Sequence, residues 1–258
     1  MTDIVEKRKP FKGKIAFVSG GSRGIGFAVA DRLAQRGASI VFTYLRSRSD
    51  AVKAEEKLAQ HRVRVLSIRA NMGNEDQVKK IFEAIKAEFG ALDFLIHNAA
   101  TGDLKPAMEL KPEEWQRTLD INTRALLFCA QLGVPLMRGR HGRIVSISSH
   151  GSQRCLPEYS AVGVAKAAME ALSRYLAVEL APKGIGVNVV MAGTTDTQSL
   201  RGIPGHEAMI HAAKSRTPAG RLGHPDDIAN IVHFLCSEES RWIVGQTIVA
   251  DGGYSILA

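Results

Sequence analysis

Short apolar runs alternate with longer helical stretches along the whole of this 258-residue chain, and that alternation constrains its fold more than any other feature. The runs fall at residues 14–19, 39–43, 63–68, 92–97, 142–148, 185–191 and 247–250. Each has the length and β-branched content of a strand buried on both faces. Between them, residues 27–36, 50–60, 75–88, 112–132 and 161–180 carry helical patterns. This order predicts a doubly wound α/β fold: a single domain over 1–258, about seven parallel strands, and helices on both faces. Such sheets bind ligands at the carboxyl ends of their strands, so residues that do chemistry should stand just after strands.

The first of these strand ends reads Ser19-Gly20-Gly21-Ser22-Arg23-Gly24-Ile25-Gly26 and leads into a helix. A glycine-rich turn lets the backbone approach a pyrophosphate closely, and the helix N-terminus offers free N–H groups and a favourable dipole. Dinucleotide binding on a Rossmann-like fold is expected; the alternative is a purely structural turn. After the second strand comes Thr43-Tyr44-Leu45-Arg46-Ser47-Arg48, with no acidic residue before Asp50 to hold a ribose 2′-hydroxyl. Arg23, Arg46 and Arg48 can pair with a 2′-phosphate instead, which favours NADPH; the alternative is that they only solvate the loop.

With these motifs in place, the chain resembles the short-chain dehydrogenase/reductases over nearly its whole length. Gly20-x3-Gly24-x-Gly26 is similar to the family's cofactor motif, with Ser19 where threonine is usual. Asn98-Ala99-Ala100 resembles its Asn-Ala-Gly motif, with Thr101 replacing the common glycine. Asn71, followed by Met72, stands where the family often has an adenine-contacting aspartate. Asn122 matches the helix asparagine that supports proton relay. Ala192-Gly193-Thr194-Thr195-Asp196-Thr197 is similar to the segment beside the nicotinamide, and Asp251-Gly252-Gly253 to the usual ending. The resemblance thus implies cofactor contacts from Gly20, Ser22, Arg23, Gly24, Ile25, Gly26, Arg46, Ser47, Arg48, Asn71, Met72, Asn98, Ala99, Ala100, Lys166, Gly193, Thr195 and Thr197.

One departure carries the functional reading. Carbonyl reductases of the family place Tyr-x3-Lys on one helix: the tyrosine protonates the substrate oxygen, and the lysine holds the ribose and lowers the tyrosine pKa. Lys166 is present, but Val162 occupies the tyrosine position. The nearest tyrosine is Tyr159, seven residues before Lys166. On a helix that spacing keeps both on one face, while the axial separation grows from about 6 Å to about 10.5 Å. Pro157 and Glu158 predict a helix start there, with Tyr159 in its first turn. A donor displaced from the nicotinamide suits an enoyl thioester, because its enolate oxygen develops charge two carbons from the hydride acceptor. Tyr-x6-Lys with a retained serine, Ser149, resembles enoyl-acyl carrier protein reductase III. That resemblance implies NADPH-dependent reduction of trans-2-enoyl thioesters by Tyr159, Lys166, Ser149 and Asn122, in fatty-acid synthesis. The alternatives are a 3-oxoacyl or other carbonyl reductase, and a non-catalytic NADPH-binding protein.

Composition narrows the partners. The net charge of +8 is either a solvated basic surface or an attraction for cofactor phosphates or an acidic carrier protein, and without a basic block interleaved with aromatics nucleic acid is not expected. No apolar run approaches the roughly 18 residues that span a bilayer, and residues 1–10 lack a signal-peptide core, so a cytoplasmic protein without membrane attachment is expected. Cys129, Cys155 and Cys236 match no disulfide or zinc spacing, and no metal is expected. Residues 198–216, with Gly202, Pro204 and Gly205, should form a mobile lid over an acyl chain; the alternative is an ordinary surface helix and loop. Cys155 near the acyl entrance reads as a bystander, and His150 as a solvated loop histidine rather than a second acid/base. By resemblance, residues 112–132 and 159–180 imply assembly into a homotetramer.

Overall fold

The structure, a computed structural model, describes residues 9–137, 139, 141–203 and 205–257. Pro204 of the expected lid, and most of the N-terminal segment 1–10, lie outside the described residues. In chain order the elements are β1 (Ile15–Val18), α1 (Gly24–Gln35), β2 (Ser39–Tyr44), α2 (Arg48–Ala59), β3 (Val65–Arg69), α3 (Glu75–Phe89) and β4 (Phe94–His97). There follow α4 (Pro112–Leu119), a π-helical turn (Asp120–Arg124), α5 (Ala125–Gly133), β5 (Arg143–Ser149), α6 (Ser160–Leu180) and β6 (Gly186–Ala192). The chain then forms α7 (Gln198–Arg201), α8 (His206–Arg216), α9 (Pro225–Cys236) and β7 (Thr247–Ala250).

All seven strands pair in parallel in the order β3-β2-β1-β4-β5-β6-β7. The order reverses between β1 and β4, where two loops part and leave a crevice. Two apolar layers cover the faces. Val18, Phe42 and Ile96 meet α1, α2 and α9 on one side. Phe17, Leu95 and Ile144 meet α3, α5 and α6 on the other. The expected strands are all present, shifted by at most two residues at an end. The third begins at Val65 rather than 63, because Arg62 turns the chain in a left-handed conformation.

Two expectations need correction, and one helix adds to them. The stretch 112–132 is not one α-helix: Asp120–Arg124 winds as a π turn around Asn122. Such turns favour functional positions, and periodicity does not reveal them. Helix α6 starts at Ser160, so Tyr159 is its N-cap rather than part of its first turn, and Glu158 before it has φ of 58°. Helix α9 was not expected at all, although Pro225 at its start and Ile228, Val232 and Leu235 on one face signal it.

Candidate active site

The glycine turn is shaped by close approach. Gly20 and Gly24 have φ of 67° and 57°, and a Cβ on Gly26 would lie 2.2 Å from the Gly20 carbonyl oxygen. Asn98, just after β4, donates through Nδ2 to the carbonyls of Ser19 (3.1 Å) and Gly20 (3.0 Å). Ser19 Oγ in turn accepts from the backbone of Asn98 and Ala99. Gly20 N–H donates to Thr43 Oγ1 at 3.0 Å. Ser19, Thr43 and Asn98 therefore hold the turn in shape, a role that sequence reasoning had not given to Thr43. Arg23 at the N-cap of α1 makes no side-chain cap among the described residues, which leaves the N–H groups of the first turn for an anion. The cradle fits a dinucleotide phosphate.

Arg23 lies 3.8 Å from Asp50 across the end of β2. Ser47 caps α2 by accepting from Asp50 N–H, and Arg46 and Arg48 flank it. Thr197 caps α7, and its methyl stands over Gly24. Thr195 is buried and donates to the Gly193 carbonyl at 2.9 Å. Met72 is buried beneath Thr43, whereas Asn71 Oδ1 accepts from Gly73 N–H in a tight loop. A cleft of about 740 Å³ runs from Ser22, Arg23 and Gly24 past Thr197 and along the outer side of α1. Tyr159, Ser149 and Lys166 do not line it. It adjoins the glycine turn.

Ser149 ends β5, and its Oγ is hydrogen-bonded to Tyr159 Oη at 3.2 Å. Burial pushes the Tyr159 phenol up, and the Ser149 hydrogen bond opposes that shift. Tyr159 is brought there by a close approach of loop and helix: a Cβ on Gly151 would lie 2.4 Å from its ring, and one on Gly163 would lie 2.6 Å from the Gly151 carbonyl. The sequence reading missed both glycines. Val162 is buried, and a Cβ on Gly102 would lie 2.1 Å from its Cγ2, so the usual tyrosine position is filled by packing.

Lys166 is buried and donates to the Ile147 carbonyl at 2.7 Å. Burial brings its pKa down to about 8, against the opposing pull of Glu170. Its hydrogen bond runs to the strand and not to the phenol. Asn122 is fully buried on the π turn; its Nδ2 donates to the carbonyls of Thr101 (2.6 Å) and Thr118 (2.9 Å), and its Oδ1 accepts from Thr101 N–H (3.2 Å). It thus anchors the loop after Asn98-Ala99-Ala100.

His150 corrects the expectation of a solvated loop side chain. It is buried, donates to Asp251 Oδ2 at 3.0 Å, and stacks on Tyr254 with centroids 5.1 Å apart. The chain end folds back over the loop after β5, which local sequence cannot reveal. Cys155 is exposed as a free thiol. Among the described residues, no cluster of acids, histidines and cysteines could hold a metal.

A family model described as enoyl-(acyl carrier protein) reductase matches residues 20–255. The chain belongs to the short-chain dehydrogenase/reductases. An uncharacterized oxidoreductase of Methylorubrum extorquens is 36% identical over 94% of this chain and 98% of its own. The 1-cyclohexenylcarbonyl-CoA reductase of Streptomyces collinus is 36% identical over 95% of this chain and 88% of its own. A short-chain dehydrogenase of Burkholderia cenocepacia, solved in complex with NADP, superposes with a TM-score of 0.89 at 33% identity, covering 95% and 99% of the two chains. This protein is therefore an oxidoreductase of that family.

Proposed function

We propose that the protein reduces the 2,3 double bond of trans-2-enoyl thioesters with NADPH. The observation that carries this reading is the Tyr159–Ser149 pair at 3.2 Å beside a buried Val162. The proton-donating hydroxyl has moved from the usual tyrosine position to the N-cap of α6, while Lys166 has stayed. The Streptomyces relative supports the reading, because its name describes an acyl thioester whose double bond is conjugated with the carbonyl. NADPH is supported by the Burkholderia structure and by Arg23, Arg46 and Arg48 around the end of β2.

Residues from Gly20 to Gly26 would hold the pyrophosphate, the three arginines the 2′-phosphate, and Lys166 with Thr195 and Thr197 the nicotinamide half. When bound, the cofactor supplies hydride. Tyr159 Oη, oriented by Ser149, donates to the thioester oxygen as negative charge gathers there. Lys166 contributes positive charge, and Asn122 keeps the loop over the site closed against Thr101. Residues 198–216 act as the lid over the acyl chain, whose physiological carrier is acyl carrier protein in the cytoplasm. The retained Ser149 favours one second reading, reduction of a 3-oxoacyl thioester, since a serine–tyrosine pair can also polarise a ketone.

Purified protein with NADPH should oxidise it with crotonyl-coenzyme A and not with acetoacetyl-coenzyme A. The reverse result would overturn the enoyl reading in favour of the second. Tyr159→Phe should lower kcat by about 10²–10⁴-fold with the Kd for NADPH unchanged.

A further inference from the structure

The face of the sheet toward α6 is apolar along most of its depth but turns polar at the carboxyl ends of β4 and β5. Leu95 and Ile144 pack there with Met169 and Leu176 of α6. One step further along each strand on the same face stand His97 and Ser146, then Ser148. Ser148 Oγ donates to Glu170 of α6, so that pair is satisfied. His97 and Ser146 are not. Both are fully buried, and His97 Nδ1 and Ser146 Oγ find no hydrogen-bond partner among the described residues. They are register partners on adjacent parallel strands, which stand about 4.8 Å apart.

The other ring nitrogen settles the tautomer. His97 Nε2 lies 3.0 Å from the Asn122 carbonyl, which can only accept, so Nε2 carries the hydrogen and Nδ1 is a bare acceptor. Burial, and then the nearby Lys166 charge, lowers the His97 pKa to about 4, so the ring is neutral at working pH. Lys166 has three N–H groups, and the Ile147 carbonyl takes one. A buried acceptor, a buried hydroxyl and a spare ammonium N–H are the two to four polar partners that an internal water requires.

We propose that His97 is a positioning residue for the reductase site, holding the Asn122 carbonyl through Nε2–H and, with Ser146, holding one internal water that Lys166 donates to. The water gives one hydrogen to His97 Nδ1, shares a hydrogen bond with Ser146 Oγ, and accepts a Lys166 N–H. Lys166 is then fixed from two sides, by the Ile147 carbonyl and by the water, with its third N–H free for the cofactor ribose. The π turn is tied to the same imidazole, so Asn122 and Lys166 move as one unit. This rests on the reading of Lys166 as the cofactor-holding lysine, but not on which acceptor is reduced.

Imidazole nitrogen NMR of the whole protein tests it without any substrate. His97 should show the neutral Nε2–H tautomer from about pH 5.5 to 8. Its Nδ1 resonance should be that of a hydrogen-bonded acceptor, and should move in Ser146→Ala and in Lys166→Met. An Nδ1–H tautomer, or an Nδ1 resonance indifferent to both changes, overturns the proposal. Kinetics with the thioester that the wild type reduces give a second reading. His97→Gln, whose amide reaches Asn122 as Nε2 does, should keep kcat within about threefold, whereas His97→Asn, which is too short, should lose about tenfold or more with KM for NADPH nearly unchanged. Equal kcat in the two variants, or a loss confined to KM, would overturn it. If the wild type turns over neither thioester, the proposed activity has failed while the NMR result still decides the role of His97.

Discussion

Tyr159 and Lys166 show how position sets chemistry one residue at a time. The phenol is pushed up by burial and keeps its proton at neutral pH, as the proposed donor role requires. Lys166 is the reverse case, with a pKa brought down to about 8 from an ordinary 10.5. In the free enzyme its ammonium is lost as pH rises through about 8, so kcat/KM should fall on that alkaline side. Stability should respond in the opposite sense. The unfolded chain binds the extra proton between about pH 8 and 10.5, so the contribution of Lys166 to unfolding free energy rises with pH across that window. A pH series of activity and of urea unfolding separates the two. Lys166→Met should remove both dependences. Tyr159 and Lys166 were both legible in the sequence because motif spacing marks them. His97 and Gly151 were not, since their significance lies in what another segment places against them.

At the scale of elements, the loop after β5 and the start of α6 work as one piece. They meet through Gly151 and Gly163, with no space for a methyl at either. Gly151→Ala should push the Tyr159 ring aside and lower kcat by about tenfold or more while NADPH binding persists, which cofactor fluorescence titration would show. The other face of α6 points outward with a run of apolar side chains at helical spacing. Val164, Tyr175 and Val178 are exposed, the last two at 71% and 76%. Ala168 and Ala171 lie between them on the same face. We propose that this exposed apolar stripe joins copies of the chain. Tyr175→Glu combined with Val178→Glu should reduce the mass measured by light scattering, and leave Tm nearly unchanged if the subunit folds alone. The apolar spacing was readable in the sequence. That this side of α6 faces outward while Ala165, Met169 and Leu176 face the sheet is known only from the packing.

For the molecule as a whole, the site depends on contacts between halves of the sheet far apart in sequence. Asn98 ties the carboxyl end of β4 to the glycine turn after β1, across 79 and 78 residues of chain. Asn98→Leu would leave the Ser19 and Gly20 carbonyls short of donors and should cost about 1–3 kcal/mol of stability. It should also weaken NADPH binding, because the turn would no longer be held in shape; calorimetry and titration read the two effects. The far end of the chain contributes in the same way, with Asp251 accepting from His150 next to Ser149. Burial alone would raise Asp251, but hydrogen bonds from Ser255, Gly253 and His150 outweigh it and leave the carboxyl below its ordinary value.

The strand–helix order, the glycine turn, Lys166 and the displacement of the tyrosine were all determined by the sequence alone, because each is local: a periodicity, a backbone requirement or a spacing within one helix. Whether Tyr159 could reach Ser149 was a different matter, and only the tertiary structure decided it. It did so by bringing Gly151 against Gly163, by starting α6 one residue after the tyrosine, and by winding a π turn that buries Asn122. It also placed His150 against the chain end and His97 beside Ser146, which lie 101 and 49 residues apart. Such pairings follow from which strands become neighbours, and sheet order is set by the burial of two apolar layers at once, a property of the whole chain that no local pattern contains.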